Sequence, residues 1–171
     1  MRKILLTLII SILCFTNYAQ EIEKNVENIT TYYLIRHAEK DISDKTNRNP
    51  SLTDKGIERA HNWAKILKNI NIDAVYSTNY IRTKNTAKPT ALSHKLETII
   101  YDVRNFDFDK FKKETIGKNI LIVGHSNTTP MFANALLGKD NYKNLDESVY
   151  TNLYIITITG DVASDILLEI E

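Results

Sequence analysis

Cysteine is almost absent from this chain of 171 residues: the single thiol is Cys14. It lies within an apolar stretch, Ile4 to Phe15, that follows Arg2 and Lys3 and leads through Thr16-Asn17-Tyr18-Ala19 into Gln20. The stretch is shorter than the ~20 residues a helix needs to span a bilayer, so residues 1–19 read as a signal peptide cleaved after Ala19. The mature chain then has no thiol, which excludes disulfides, thiolate catalysis and cysteine-ligated zinc. Export to a periplasm or an extracellular space is expected, with no membrane attachment after cleavage.

An excess of either charge is missing as well. The 22 Lys+Arg residues nearly match the 21 Asp+Glu, so bulk charge points to no nucleic-acid partner, and any affinity for anions must be local. Only five glycines and three prolines occur, and neither repeats nor low-complexity tracts are present. A 43% hydrophobic fraction supports a real core, and the length suits one domain. That domain is assigned to residues 30–171, behind a polar, acidic tether at 20–29.

What is there is an alternating pattern. Thr30 to Ile35, β-branched and aromatic, predicts a buried strand that stops at Arg36-His37. A loop rich in Asp, Asn and Ser follows and contains Pro50. Thr53 is placed to N-cap a helix in which Ile57, Ala60, Ala64, Leu67 and Ile70 recur at helical spacing. Ile72 to Tyr76 predicts a second strand. A helix from Tyr80 to His94 is expected to use Ala87 and Leu92 as apolar positions and to kink or break at Pro89. Leu96 to Tyr101 predicts a third strand, Asp107 to Thr115 a short helix, and Asn119 to Gly124 a fourth strand. Ser126 to Leu137 predicts a helix ending at Gly138. Asn152 to Thr159 and Ser164 to Ile170 predict a hairpin turning at Gly160-Asp161. This order argues for an α/β fold: a three-layer α/β/α sandwich on a mostly parallel sheet.

Open α/β sheets bind ligands beyond the carboxyl ends of their strands. Strand one ends in Arg36-His37, strand four in Gly124-His125, and strand two is followed by Arg82 on the next helix. Two permanently charged guanidinium forks suit a tetrahedral oxyanion. A helix N-terminus near Ser126 to Thr128 adds N–H donors. An imidazole against phosphorus can attack it and carry it covalently, while a second imidazole steadies a non-bridging oxygen. Zinc is disfavoured, because no His-x-x-x-His pair exists and two arginines would repel a cation. His61 and His94, on helices away from the strand ends, read as surface or partly buried residues.

Four blocks in order then carry a resemblance. They are Arg36-His37-Ala38-Glu39, Leu52-Thr53-Asp54-Lys55-Gly56, the segment Val75 to Ala87 containing Arg82 and Thr86, and Val123-Gly124-His125-Ser126. They resemble the Arg-His-Gly, Leu-Thr-x-x-Gly, Ser-x-x-x-Arg-x-x-x-Thr-Ala and Gly-His-Ser elements of the histidine phosphatase superfamily, the phosphoglycerate mutase-like family. In length the mature chain is similar to its small phosphohistidine phosphatases. The resemblance implies a phosphoglycerate mutase-like fold and hydrolysis of a small phosphorylated substrate, a phosphomonoester or a phosphoramidate. It implies a covalent phosphohistidine at His37, with Arg36, Arg82 and His125, joined by Ser126, binding the phosphoryl group. No metal or organic cofactor is implied.

Two departures matter. Ala38 stands where the family has glycine, and its methyl group could tighten the backbone approach to phosphate. The general acid has no secure position; Asp102, Asp107 and Glu39 are the candidates, and a good leaving group would need none. Phosphoryl transfer of the mutase kind, and a non-catalytic phosphate-binding module, are the alternative functions. Oligomeric state and natural substrate carry no signal in the sequence. Lys40 and Arg104 read as solvated charges. Specificity is assigned to loops 38–51, 102–109 and 138–150.

Overall fold

The computed structural model describes residues 29–170. The expected signal peptide at 1–19 and the expected tether at 20–29 fall outside them, apart from Ile29, which opens the first strand. The elements run β1 (Ile29–Arg36), α1 (Asp54–Leu67), β2 (Ala74–Thr78), α2 (Ile81–Ser93), β3 (Thr98–Tyr101), a 3-10 turn (Val103–Asn105), α3 (Phe108–Glu114), β4 (Asn119–Gly124), α4 (Thr128–Leu137), β5 (Asn152–Thr159) and β6 (Val162–Glu169).

Six strands form one sheet in the order β3-β2-β4-β1-β5-β6. The first four are parallel, and the closing hairpin adds β5 antiparallel to β1 and β6 antiparallel to β5. Alternate residues of each strand face opposite sides of a sheet. Accordingly Tyr32, Leu34, Ile120 and Ile122 join one core, with Phe111 of α3 and Phe132 of α4. Ile35, Leu121 and Val123 join the other, with Trp63 of α1 and Ala87 of α2. Helices thus cover both faces, and the predicted three-layer α/β/α architecture is the one found.

Several details differ from the sequence reading. The buried stripe of α1 is Gly56, Ala60, Trp63 and Leu67, whereas Ile57 is 48% exposed. Helix α2 runs through Pro89 without a break. The carbonyl that loses its N–H partner there belongs to Asn85, which is exposed and can be hydrated. Leu92, expected to be a core position, is 65% exposed. Strand β2 starts two residues late and extends to Thr78, because Ser77 and Thr78 pair with Ile100 and Tyr101 of β3. Helix α4 starts at Thr128, not Ser126.

Two glycines permit close approaches at the sheet's carboxyl edge. A Cβ on Gly56 would meet the Glu39 carbonyl oxygen at 2.3 Å. One on Gly124 would meet the hydroxyls of Thr129 at 2.8 Å and Thr128 at 2.9 Å. Both allow a helix to sit directly against a strand end.

Candidate active site

Strands β1 and β4 lie side by side in the middle of the sheet, with Arg36 opposite Gly124. Their next residues, His37 and His125, leave the sheet together. The His37 amide donates to the Gly124 carbonyl at 2.9 Å, which continues the ladder one step past the strand. Arg82 arrives from the first turn of α2. A cavity of about 870 Å³ opens here, lined by His37, Arg82, His125, Thr78, Tyr80 and Ser126 among others.

The His37 ring is 2% exposed. Its Nδ1 lies 2.8 Å from the Ala38 carbonyl, an acceptor, so Nδ1 carries the proton and Nε2 keeps a free lone pair. Burial pushes its pKa down to about 3, with Arg36, His125 and Arg82 adding to the effect and the Ala38 bond opposing it. At neutral pH this histidine is uncharged, with Nε2 able to accept.

His125 is neutral as well. Burial, then Arg82, Arg36 and Lys40, lower its pKa to about 4. Its Nε2 lies 2.9 Å from Thr78 Oγ1, and Arg82 Nη2 approaches its Nδ1 at 3.5 Å. Arginine can only donate, so Nδ1 accepts and Nε2–H donates to Thr78. The Thr78 hydroxyl passes its own proton to Thr83 Oγ1 at 3.1 Å. A relay of two threonines therefore fixes the tautomer.

Each arginine lies over a tyrosine. The Arg36 Cζ is 4.3 Å from the Tyr150 ring centroid, and the Arg82 Cζ is 4.4 Å from that of Tyr80. The contacts hold the guanidinium planes without using their N–H groups. Arg36 Nη1 donates to the carbonyls of Asp146 and Val149, each at 2.9 Å. Three buried N–H groups remain without a partner: Arg36 Nε, Arg82 Nε and Arg82 Nη1. Leaving buried donors unmet is costly, and Arg82, which carries two of these three, lines the cavity together with His37. A tetrahedral oxyanion supplies the acceptors they lack.

The four residues singled out from the sequence thus meet, and Ser126 lines the same cavity. Of the three candidate acids, Asp102 reaches this cavity and Glu39 and Asp107 do not line it. Glu39 turns away to Arg59, whose Nε and Nη2 bind its carboxylate at 2.9–3.1 Å. Burial alone would raise its pKa; Arg59 and Lys55 outweigh that and hold it below the ordinary value. Asp107 caps α3 by accepting from the Lys110 amide. Asp102 lines the cavity, but its carboxylate accepts from the Arg104 amide and guanidinium, which lowers its pKa. None of the three is poised as a proton donor. Lys40 and Arg104, read as solvated, also line the cavity.

The Ala38 methyl does not crowd the site. It is fully buried in a small apolar cluster with Leu52 and Ala60. The Ala38 amide donates to Thr86 Oγ1 at 2.9 Å, and that hydroxyl donates to the Arg82 carbonyl at 2.8 Å.

Sequence reasoning missed Glu147. It comes from the loop between α4 and β5, and its carboxylate accepts from Arg36 Nη2 at 2.9 Å, Lys40 Nζ at 3.3 Å and Ser126 Oγ at 2.6 Å. It lies in the loop 138–150 to which specificity is assigned, but that loop carries no motif, so nothing in the sequence singled out the residue. Among the described residues, no group of three or more His, Cys, Asp and Glu side chains is arranged to hold a metal ion.

No curated protein sequence matches the chain. Solved structures do match its fold. The protein histidine phosphatase SixA complexed with tungstate superposes with a TM-score of 0.66 at 13% identity, covering 81% of this chain and 96% of that one. The α-ribazole phosphatase of Shigella flexneri gives 0.64 at 17%, covering 81% and 96%. Phosphoglycerate mutase from Bacillus anthracis gives 0.64 at 15%, covering 85% and 95%. At these identities the likeness is one of fold, shared by phosphatases and a mutase alike. The model of the histidine phosphatase superfamily (branch 1) matches residues 32–116, the span that brings Arg36, His37 and Arg82 to one edge of the sheet, and the chain belongs to that superfamily.

Proposed function

We propose that this protein is a metal-independent phosphatase that hydrolyses a phosphomonoester or phosphoramidate through a covalent phosphohistidine at His37. The observation that carries this reading is His37 itself: its Nδ1–H is tied to the Ala38 carbonyl and its Nε2 is left free beside partnerless arginine donors. Nε2 attacks phosphorus in line. The P–O or P–N bond to the leaving group breaks, and the leaving group departs with the electron pair. Arg36 and Arg82 hold the equatorial oxygens as charge spreads onto them. Water then attacks phospho-His37, the P–N bond breaks, and inorganic phosphate leaves with His37 restored.

His125 is neutral in the free protein because burial, and after it Arg82, Arg36 and Lys40, lower its pKa. A phosphoryl dianion offsets those charges, so His125 gains a proton as substrate binds and donates it to a phosphoryl oxygen. Ser126 lines the same edge, with its hydroxyl donated to Glu147. The exposed residues at the cavity rim, Asn79, Tyr80, Asp102 and Arg104, leave the phosphoenzyme accessible to water. That favours hydrolysis over transfer to a second hydroxyl.

The test is turnover of p-nitrophenyl phosphate by the purified protein in the presence of EDTA. Activity is expected to persist under chelation, with an acid-labile phosphoenzyme trapped on quenching. His37→Ala is expected to lower kcat by about 10⁴-fold or more. Activity that disappears with EDTA, or that survives His37→Ala, overturns the reading.

A further inference from the structure

Glu147 lines the cavity, and the proposed chemistry gives it no task. It sits 65% exposed at the rim, yet it gathers Arg36 Nη2, Lys40 Nζ and Ser126 Oγ onto one carboxylate. The loop is pinned there by its backbone, since the Asp146 and Val149 carbonyls accept from Arg36 Nη1 and the Leu145 amide donates to the Ser126 carbonyl at 2.8 Å. The carboxylate is therefore held in place by the main chain on both sides. Its pKa is lowered to about 2, first by the Ser126 bond and then by Arg36 and Lys40 against the cost of burial, so it keeps its charge throughout the working range.

A substrate brings its own charge to this wall. The phosphoryl group takes the partnerless donors of Arg36 and Arg82. Whatever flanks it meets Glu147 with Lys40 already engaged, and Asp102 with Arg104 already engaged. A second anionic group on the substrate must displace a charged, doubly anchored carboxylate to reach a cation. A flanking ammonium instead gains an attractive partner at no such cost.

We infer that Glu147 is a specificity-determining residue that biases the site toward phosphorylated substrates carrying a neutral or cationic group beside the phosphoryl, and against those carrying a second anion. The inference rests on the phosphatase reading above. It also bears on the mutase alternative, because a carboxylate-bearing phosphoglycerate is the kind of substrate that Glu147 disfavours.

The experiment uses two aryl esters of similar shape, 3-(aminomethyl)phenyl phosphate and 3-carboxyphenyl phosphate, with p-nitrophenyl phosphate as reference. The wild-type protein is expected to favour the aminomethyl ester in kcat/KM by about tenfold, one modest charge–charge interaction. Glu147→Gln is expected to bring that ratio close to one, largely through KM. A merely structural role for Glu147 moves both esters together and leaves the ratio unchanged. An unchanged ratio, or a wild-type preference for the carboxy ester, overturns the inference. Failure to turn over any of the three esters overturns the phosphatase reading instead.

Discussion

The His37 and His125 rings meet edge to face, with centroids 5.4 Å apart and planes at 69°. Two imidazoles at this separation, with two guanidinium groups beside them, cannot both hold a proton in the free protein. Burial and the neighbouring cations keep both neutral, with pKa values near 3 for His37 and 4 for His125.

That pairing sets the pH behaviour. After allowance for the substrate's own ionisation, kcat/KM is expected to show no acidic limb near 6.5, the ordinary histidine value. A profile measured from pH 8 to 5 checks it. Stability follows the opposite side of the same shift. Between pH 6.5 and about 4 the unfolded chain binds protons that the folded rings refuse, so unfolding becomes easier as the pH falls. The contribution is complete above 6.5, and denaturant midpoints measured at pH 7.5 and 5 are expected to fall in that order.

Thr86 joins the two halves of the site, since its hydroxyl accepts from the Ala38 amide and donates to the Arg82 carbonyl. Thr86→Val keeps the shape and removes both bonds. It is expected to destabilise the fold by about 1–3 kcal/mol through the buried Ala38 N–H. It is also expected to lower kcat by about 10²-fold, because the His37 turn and the arginine lose their common reference. Thr86→Ser restores most of the rate. A kcat unaffected by Thr86→Val disproves the positioning role.

No carboxyl group in the cavity is arranged to donate a proton, because Asp102 is held ionised by Arg104 and Glu147 by Ser126, Arg36 and Lys40. General acid help typically contributes about 10²–10⁴-fold. Simple alkyl phosphates are therefore expected to react more slowly than aryl phosphates or phosphoramidates by a factor of that order. The measurement is kcat/KM against leaving-group pKa, and a flat plot contradicts the expectation.

Gly56 faces the Glu39 carbonyl, where an added Cβ would stand 2.3 Å from the oxygen. The obstacle is backbone, so it cannot rotate aside. Gly56→Ala is expected to cost roughly 1–3 kcal/mol and to lower kcat, because the displaced loop includes the Ala38 carbonyl that orients His37. Thermal unfolding and steady-state rates on the same preparation test both effects.

Where strand ends carried chemistry, the sequence was readable. Arg36-His37 and Gly124-His125 stand directly after apolar, β-branched runs, and a parallel sheet sends all such ends to one edge. Trp63 was overlooked as the anchor of α1 because Ile57 and Ala64 fit the same helical period, and the rotation found puts Gly56 against Glu39 and packs Trp63 and Leu67 into the core. Glu147 was invisible for a different reason. Its place depends on main-chain carbonyls at 146 and 149 reaching Arg36, and backbone acceptors leave no mark on residue type. Glu39 shows the reverse case, a carboxylate two residues from His37 whose partner, Arg59, lies across a loop.

The ladder between β1 and β4 runs on through the His37 amide to the Gly124 carbonyl. Arg36 and His37 therefore sit at the end of the central pair of strands, while Arg82 reaches them from the first turn of α2. Amides in such a position exchange with solvent only when the whole sheet opens, so loss of catalysis on heating should coincide with cooperative unfolding and not precede it.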